Sequence, residues 1–242
     1  MTLLKDYNLN NSLIVNQNED LVIYAPFNKT INDLNIIVEK DAHLKILFVN
    51  SKLNLKAALN KNAKMEIYNV FITNENAQIN INVDLNEEEA ESKITNVYLG
   101  TNDSIIESNV YINHNNKLTN SDFMTYAISK DNAKLILNNN AHILNGMHQS
   151  NAFQKTKGLN LSSNAKIITQ PNLFIDEYDV KASHSVAIGS INQDDLFYLM
   201  SRGLPIVEAS KLIVMGFISP IISNIEDEET KNNIYNQFIN NL

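Results

Sequence analysis

The chain has 242 residues, a net charge of −8, a hydrophobic content of 44% and no cysteine. These values exclude a disulfide framework and a thiolate metal site, and they argue against nucleic-acid binding, which depends on neutralising phosphates. No stretch approaches the roughly 18 consecutive apolar residues of a membrane span, and residues 1–12 lack a secretion signal. We therefore expect a cytoplasmic protein with no membrane partner, built as one large domain or as a domain with an appendage.

Short apolar alternations recur between about residues 21 and 191, and each is entered through a polar turn. The shared form is an Asn or Asp, then Ala, then a polar and an apolar residue, and the copies start at Asp41, Asn62, Asn76, Asn132 and Asn164. Alternation with a period of two indicates β-strands. Five of the six glycines lie at or after residue 146. We therefore expect Asn and Asp to make most of the earlier turns, because they tolerate left-handed backbone angles.

Recurring rungs of this kind indicate a solenoid, in which each rung buries its apolar face against the next one. We predict an all-β core that is a right-handed parallel β-helix over about residues 20–190, with the first 20 or so residues as a lead-in. A β-sandwich also has alternating strands, and the pattern alone leaves this alternative open.

The pattern becomes helical after Ile191. Asn192 can cap a first helix, and Gly203 is suited to end it. Pro220 is expected to bend or end a second helix, and a third places Ile234, Phe238 and Leu242 on one face. We predict a domain 1–190 followed by a small C-terminal helical domain, 191–242. The helical part has little core of its own and should dock on the β-helix or on a partner.

The most informative segment spans the change from strand to helix. Residues 179–189 read DVKASHSVAIG, and residues 196–203 read LFYLMSRG. Together they resemble the signature of the SufD branch of the SufB/SufD family, which are scaffold proteins of the SUF machinery for iron–sulfur cluster assembly. The family pattern is roughly D-V-x-x-S-H-G-A-T-V-G, a capping turn, and then L-F-Y-L-x-S-R-G-I.

The resemblance covers roughly residues 83–217 and is strong from Asn145 onward. There are departures: Ser185 follows the signature His184 where the family has Gly, and Ala182 stands where many members have Cys. Further upstream, His114 lies in a segment like the family's H-x-x-P-x-T-x-S, with Lys117 in place of the proline. A structural role in a turn is the preferred interpretation of His114.

The resemblance implies a parallel β-helix and a scaffold that is not an enzyme. It also implies two partners: a SufC-like ABC ATPase bound through the C-terminal helices, and a SufB-like paralogue or a second copy bound through the strands near His184. His184 is then a metal ligand, shared with the partner chain, for iron or a nascent cluster. The alternative is a His at a strand end that bonds a backbone carbonyl. Without cysteine, the chain alone should hold no stable cluster.

We expect Phe197, Tyr198, Arg202 and Gly203 to contribute to partner binding, because one side of this helix can meet a partner and Arg is enriched at interface hot spots. The alternative is that the two aromatic residues belong to the core and that Arg202 interacts with the end of its own helix. The acidic run from Glu87 to Glu91 could hold a metal, but a solvated loop is the preferred interpretation.

Two other functions are compatible with a β-helix. One is a carbohydrate-active enzyme, which would need clustered carboxylates; Asp176 and Asp179 are the nearest pair, and a turn role is preferred for them. The sequence contains no nucleotide-binding or hydrolase motif. The other is a self-associating structural homologue that has no cluster chemistry.

Overall fold

A computed structural model describes residues 2–5, 11–25 and 27–242 of the protein, and in them fifteen strands precede three helices. The odd-numbered strands are β1 (Thr2–Lys5), β3 (Asp20–Tyr24), β5 (His43–Val49), β7 (Lys64–Thr73), β9 (Glu91–Gly100), β11 (Asn120–Ser129), β13 (Asn151–Asn160) and β15 (Lys181–Ser190). The even-numbered strands are β2 (Ser12–Val15), β4 (Thr30–Val38), β6 (Lys52–Leu59), β8 (Ala77–Leu85), β10 (Ile105–His114), β12 (Lys134–Ile143) and β14 (Lys166–Ile175).

The odd strands form one eight-stranded sheet and the even strands form one seven-stranded sheet. Within each sheet every strand pairs in parallel with the strand two further along the chain, so each coil contributes one strand to each sheet. This confirms the parallel β-helix and rules out the β-sandwich. Strands β1 and β2 lie in the predicted lead-in and already belong to the two sheets; residues 1 and 6–10 of that lead-in lie outside the described residues.

The coils lengthen along the chain. In the eight-stranded sheet, His43 is in register with Lys64, which lies 21 residues later. Lys64 is in register with Glu91, 27 residues later, and Asn120 is in register with Asn151, 31 residues later. The irregular repeat that the sequence displays is therefore a change in coil length, and the register itself continues from coil to coil.

Asn and Asp make most of the left-handed corners, as predicted. Eight of the eleven described non-glycine residues with positive φ are Asn or Asp. Among the five copies of the motif, Asp41 and Asn62 adopt this conformation, whereas Asp131 does so in place of Asn132. The alanines that follow are all buried, because the corner brings them under the next coil: Ala42, Ala63, Ala77, Ala133 and Ala165.

The outer face of the seven-stranded sheet carries a ladder of amides. Asn138 Nδ2 donates to Asn109 Oδ1 at 2.8 Å, and Asn109 Nδ2 donates to Asn80 Oδ1 at 3.0 Å. Parallel strands in register place equivalent side chains about 4.8 Å apart. That spacing lets each amide donate to the coil below and accept from the coil above, so part of the high Asn content is structural.

The helices are α1 (Gln193–Ser201), α2 (Ile206–Ile222) and α3 (Glu228–Asn241). The side chain of Asn192 accepts from the backbone N–H of Asp194 at 2.8 Å, which confirms the predicted cap. Gly203 has a φ of +95°, a left-handed angle that a residue with a Cβ rarely adopts, and it follows the end of α1 as predicted. Pro220 lies inside α2, close to its end.

Helices α2 and α3 cover the outer face of the eight-stranded sheet. The helical side chains of this cluster include Val214, Ile218, Ile221, Ile234 and Phe238, and the sheet contributes Val49, Val70, Val97, Leu99, Tyr126 and Ile128. The predicted buried face with Ile234 and Phe238 is confirmed, and the helices dock on the β-helix. Among the described residues, no helix is long and apolar enough to cross a membrane.

Polar contacts hold the connection between α2 and α3 on the early coils. Lys45 Nζ donates to the backbone oxygen of Asn224 at 3.3 Å and lies 3.4 Å from Glu226 Oε1. Lys5 in the first strand forms an ion pair with Asp227, the residue that caps α3. The helical part is therefore attached to the β-helix by an apolar face and by ion pairs at one end of that face.

Candidate functional site

The last coil of the β-helix is uncovered. The eight-stranded sheet ends at β15 and the seven-stranded sheet ends at β14. In the described part of the chain, β15 pairs only with β13, and every residue of β15 is exposed. We refer to β14, β15 and the loop between them, residues 176–180, as the open end.

The side chain of His184 faces the lumen at the open end. His184 is in register with Gln154, and Gln154 is in register with Phe123. The column continues downward through four buried isoleucines: Ile94, Ile67, Ile46 and Ile23. Residues in register point to the same side of a parallel sheet. His184 therefore occupies the position that a core residue holds in each lower coil, with no coil above it.

The prediction that His184 lies at a strand end is wrong. His184 is the fourth residue of β15, which continues to Ser190. The strand continues past His184 because it stays in register with β13 up to Ser190, even though small residues such as Ala187 and Gly189 weaken the apolar alternation there. The imidazole makes no hydrogen bond or ion pair with the described residues, so the alternative of a bond to a backbone carbonyl is also absent. No group of three or more His, Asp or Glu side chains suited to a metal ion occurs among those residues.

The free edge of β15 presents unpaired backbone groups. The N–H of Lys181 donates to the backbone oxygen of Ser150, so Lys181 and every second residue after it face β13. The backbone groups of the intervening residues, which include His184 and Val186, point away from β13. Val186 is 44% exposed and Ile188 is 36% exposed. This edge can therefore accept another strand.

Helix α1 presents aromatic residues to solvent. Phe197 is 73% exposed and Tyr198 is 56% exposed, so the alternative that they belong to the core is wrong. Leu196 is the buried residue of this helix. Helix α1 lies outside the apolar cluster that α2 and α3 form with the sheet, which leaves only one side of it covered. Arg202 lies over the ring of Tyr198, with its Cζ 5.3 Å from the ring centroid.

The start of α2 enlarges this surface, and sequence reasoning missed it. Ile206 and Val207 are each 54% exposed. A signal was present, because a helix with apolar residues on every side cannot turn all of them toward one sheet. We call the exposed apolar residues of α1 and of the start of α2 the α1 surface.

Two histidines outside the signature pair with carboxylates. His142 Nε2 lies 2.9 Å from Asp176 Oδ2, and His43 Nε2 lies 3.4 Å from Glu66 Oε1. The bond to His43, followed by one from Tyr68, lowers the pKa of Glu66 to about 2 against the opposing effect of burial. Each of these pairs joins neighbouring coils and brings no third ligand.

Asp176 and Asp179 belong to the loop between β14 and β15. The backbone N–H of Gln149 donates to the backbone oxygen of Asp179. Together with the bond from His142 to the Asp176 carboxylate, this contact ties the loop to the coil below. These contacts fit the preferred turn role of both residues.

The acidic run from Glu87 to Glu91 forms a corner between coils. Glu88 lies 3.4 Å from Lys61 Nζ and 3.0 Å from Lys117 Nζ, and these two lysines, Lys117 first, lower the pKa of Glu88. The two ion pairs of Glu88 thus link three successive coils. This agrees with the preferred interpretation of a loop, and Lys117, which stands in place of the family's proline, has a partner of its own.

His114 is part of a buried hydrogen-bond network at the next corner. Its Nδ1 lies 2.8 Å from Thr119 Oγ1 and its Nε2 lies 2.9 Å from Ser121 Oγ. Thr119 Oγ1 also lies 2.9 Å from Ser150 Oγ in the following coil. Burial lowers the pKa of His114 to about 4. The imidazole is fully enclosed, which agrees with the predicted structural role in a turn.

Comparisons with known proteins agree with this geometry. The sequence model of one family, the SufBD core domain of the SUF system for FeS cluster assembly, matches residues 14–217. The iron–sulfur cluster assembly protein SufD of Bacillus subtilis is 33% identical over 135 residues, which are 56% of this chain and 31% of that protein. The protein of the same name from Escherichia coli is 24% identical over 155 residues, 64% of this chain and 37% of that protein.

A third relative has a higher identity over a shorter segment. An iron–sulfur cluster assembly SufBD family protein of Pyrococcus horikoshii is 43% identical over 81 residues, 31% of this chain and 18% of that protein. The chain spans about a third of the length of the SufD proteins that it matches. Because the family match covers most of the chain, the chain belongs to the SufB/SufD family, and the relatives named SufD support its SufD branch.

His114 should make the stability of the fold depend on pH. Its folded-state pKa of about 4 lies below the ordinary 6.5. The neutral imidazole therefore contributes fully to the free energy of unfolding above pH 6.5. The free energy of unfolding decreases by up to about 3 kcal/mol as the pH falls from 6.5 toward 4. Urea denaturation at several pH values should show that the free energy of unfolding decreases more steeply with falling pH in the wild type than in His114→Gln. Equal slopes for the two proteins would contradict this assignment.

Proposed function

We propose that this chain is a non-catalytic scaffold subunit of an iron–sulfur cluster assembly complex, with the open end and the α1 surface as its two partner-binding sites. Membership of the SufB/SufD family and the names of its SufD relatives support the process. The observation that carries the proposal is the last coil, where a core position holds an exposed His184 on a strand with a free edge.

The open end pairs with a SufB-like paralogue or with a second copy of this chain. An added strand would satisfy the unpaired backbone groups of β15 and would cover Val186 and Ile188. Adding a strand extends an existing sheet, so neither partner needs to refold. A second copy is the alternative occupant, and it corresponds to a self-associating homologue.

The α1 surface binds a SufC-like ABC ATPase. Aromatic residues and arginine are the residue types that dominate protein interfaces, and Phe197, Tyr198 and Arg202 lie together on one side of α1. Gly203 supports this arrangement by allowing the chain to turn directly after the helix. Helix α1 contacts α2, and α2 packs on the eight-stranded sheet, so a partner bound at α1 is connected to the β-helix through α2.

His184 contributes one ligand to iron or to a nascent cluster at the open end, and the partner supplies the others. Neutral imidazole is a common ligand for iron, and this imidazole is exposed and makes no competing hydrogen bond with the described residues. The cluster is cargo of the complex, and this chain on its own holds no stable cluster because it has no cysteine.

A carbohydrate-active enzyme is the less favoured function. It would require clustered carboxylates that are free to act on a substrate. Asp176 is engaged with His142, and Asp179 accepts from Gln149 through its backbone oxygen, so both residues shape a loop.

Replacing the aromatic residues of the α1 surface should weaken capture of the ATPase. Phe197→Ala with Tyr198→Ala removes two exposed rings, and we expect an affinity at least about tenfold lower in co-purification or calorimetry. Tyr235→Ala is the matched control, since Tyr235 is a 45% exposed aromatic residue on α3. Deleting the helices, in a chain that ends at Ser190, is a less suitable test than these substitutions. The deletion would uncover the apolar outer face of the eight-stranded sheet beneath α2 and α3. Equal affinity of the double variant and the control would exclude the α1 surface.

Removing one backbone donor at the free edge should weaken pairing at the open end. Val186→Pro deletes an N–H that points away from β13, whereas Val186→Thr keeps the N–H and the branched shape. We expect Val186→Pro to lower the fraction of the paired form, with the SufB-like chain or with itself, as measured by light scattering after size exclusion. Thermal unfolding of the separate chain serves as the folding control. Identical assembly of the two variants would show that the edge is not the interface.

His184→Ala should reduce cluster formation by the complex and leave the fold intact. Because the imidazole makes no hydrogen bond with the described residues, the free energy of unfolding should change by less than about 1 kcal/mol. Reconstitution of the full complex, followed by ultraviolet–visible absorption, should give a clearly lower cluster yield. Ser185→Ala, on the opposite face of β15, is the control and should behave as the wild type. An unchanged yield with His184→Ala would remove this residue from the site.

A further inference from the structure

The lumen of the β-helix changes its chemical character along the axis. In the early coils its lining is apolar, with Ile46, Phe48 and Leu55 fully buried. From β7 onward, polar side chains enter the lumen. The residue in register with Phe48 is Asn69, and above it the same column continues with Asn96, Thr125 and Thr156. All four are buried.

Many of these polar groups have no hydrogen-bond partner within the protein. Asn96 has none for either atom of its amide, and Thr125 has none for its hydroxyl. The other unpartnered atoms that face the lumen include Asn69 Oδ1, Ser92 Oγ, Asn139 Oδ1, Gln154 Oε1 and Thr169 Oγ1. They lie on both sheets and on consecutive coils, and Asn69, Asn96 and Thr125 share one register column.

Leaving this many buried groups unpaired is incompatible with a stable domain. Each unpaired polar group lowers stability, and several together would offset most of the net stability of a typical fold. Some of the groups do find partners inside the lumen: Asn139 Nδ2 donates to Thr156 Oγ1 at 3.1 Å, and Asn69 Nδ2 donates to the hydroxyl of Tyr98 at 3.3 Å. The remaining atoms need a partner that is small and that both donates and accepts.

We propose that the lumen from β7 to β14 is a binding site for a file of ordered water molecules. The file begins at Asn69, passes Asn96 and Thr125, and ends among Gln154 and Thr169. Buried waters occupy polar sites that offer two to four hydrogen bonds, and the coil spacing of about 4.8 Å lets one water bridge groups on neighbouring coils. Since Gln154 lies directly beneath His184, the file reaches the open end.

The occupants are identified by a crystal structure at a resolution that shows individual waters. We expect ordered waters within hydrogen-bond distance of the Asn96 amide, Thr125 Oγ1 and Gln154 Oε1. Lumen amides and hydroxyls that bond directly to one another, with no water between them, would overturn the proposal.

A stability measurement gives a second test, with opposite signs for a hydrated lumen and for a dry lumen in which the Thr125 hydroxyl stays unpaired. Thr125→Val replaces a hydroxyl by a methyl group of the same shape. In a hydrated lumen a water loses a partner, and we expect the folding equilibrium constant in urea denaturation to fall at least about threefold. In a dry lumen the same change removes an unpaired group, and the constant should rise, which would overturn the proposal.

Two further variants serve as controls for this measurement. Thr95→Val makes the same substitution on the outer face of the adjacent strand β9, where the side chain borders a solvent cleft, and it corrects for the intrinsic effect of the exchange. Thr125→Ser keeps the hydroxyl while it removes the methyl group. If Thr125→Val does not fold and Thr125→Ser folds with wild-type-like cooperativity, the hydroxyl is required and the hydrated lumen is supported. If neither variant folds, the wild-type crystal structure decides: an ordered water on Thr125 Oγ1 supports the proposal, and a direct bond or an empty site beside this hydroxyl overturns it.

Discussion

Every feature of this protein depends on the in-register stacking of parallel coils. Because each residue lies under its equivalent in the next coil, one choice of side chain is repeated as a column. Columns of isoleucine make the lower lumen, and a column of asparagine makes the outer ladder on the seven-stranded sheet. Each lower coil is covered by the coil above it, whereas the last coil is paired on one side only, so its environment differs from that of the others. His184 and the free edge of β15, which we associate with function, are found there.

The same imidazole side chain serves three purposes along this stack. Enclosed at a corner, His114 bonds two hydroxyls and is held neutral. At the edges of coils, His43 and His142 bridge to carboxylates on neighbouring coils. At the open end, His184 has no coil above it and bonds none of the described residues. The position of a histidine in the stack therefore decides whether its side chain is held by neighbouring coils or is available to a ligand.

Much of the fold could be predicted from the sequence, because its signals are local. The corners at Asp41 and Asn62, the cap at Asn192 and the stop at Gly203 each follow from the conformational preference of a single residue. The continuous alternation marked the strands, and the family signature marked the segment from residue 179 to residue 203. These signals do not depend on knowing which coil lies next to which.

The parts that could not be predicted depend on position in the stack. The exposure of Phe197 follows from α2 and α3 having already covered the sheet, a fact that no local pattern contains. The length of β15 was missed because Gly and Ala are poor strand formers, although pairing with β13 maintains the strand. The polar lumen was missed because Asn69 and Asn96 resemble turn residues in sequence, and only the register assigns them to the interior.

The free edge of β15 also has a consequence for how selectively this strand can pair. Proteins commonly protect an edge strand with charged residues or proline, yet Lys181 is the only residue of β15 with a permanent charge, and the strand contains no proline. Such an edge does not discriminate strongly between a different chain and another copy of itself. If the proposed pairing takes place at this edge, the concentration ratio of this chain to the pairing chain decides which species forms.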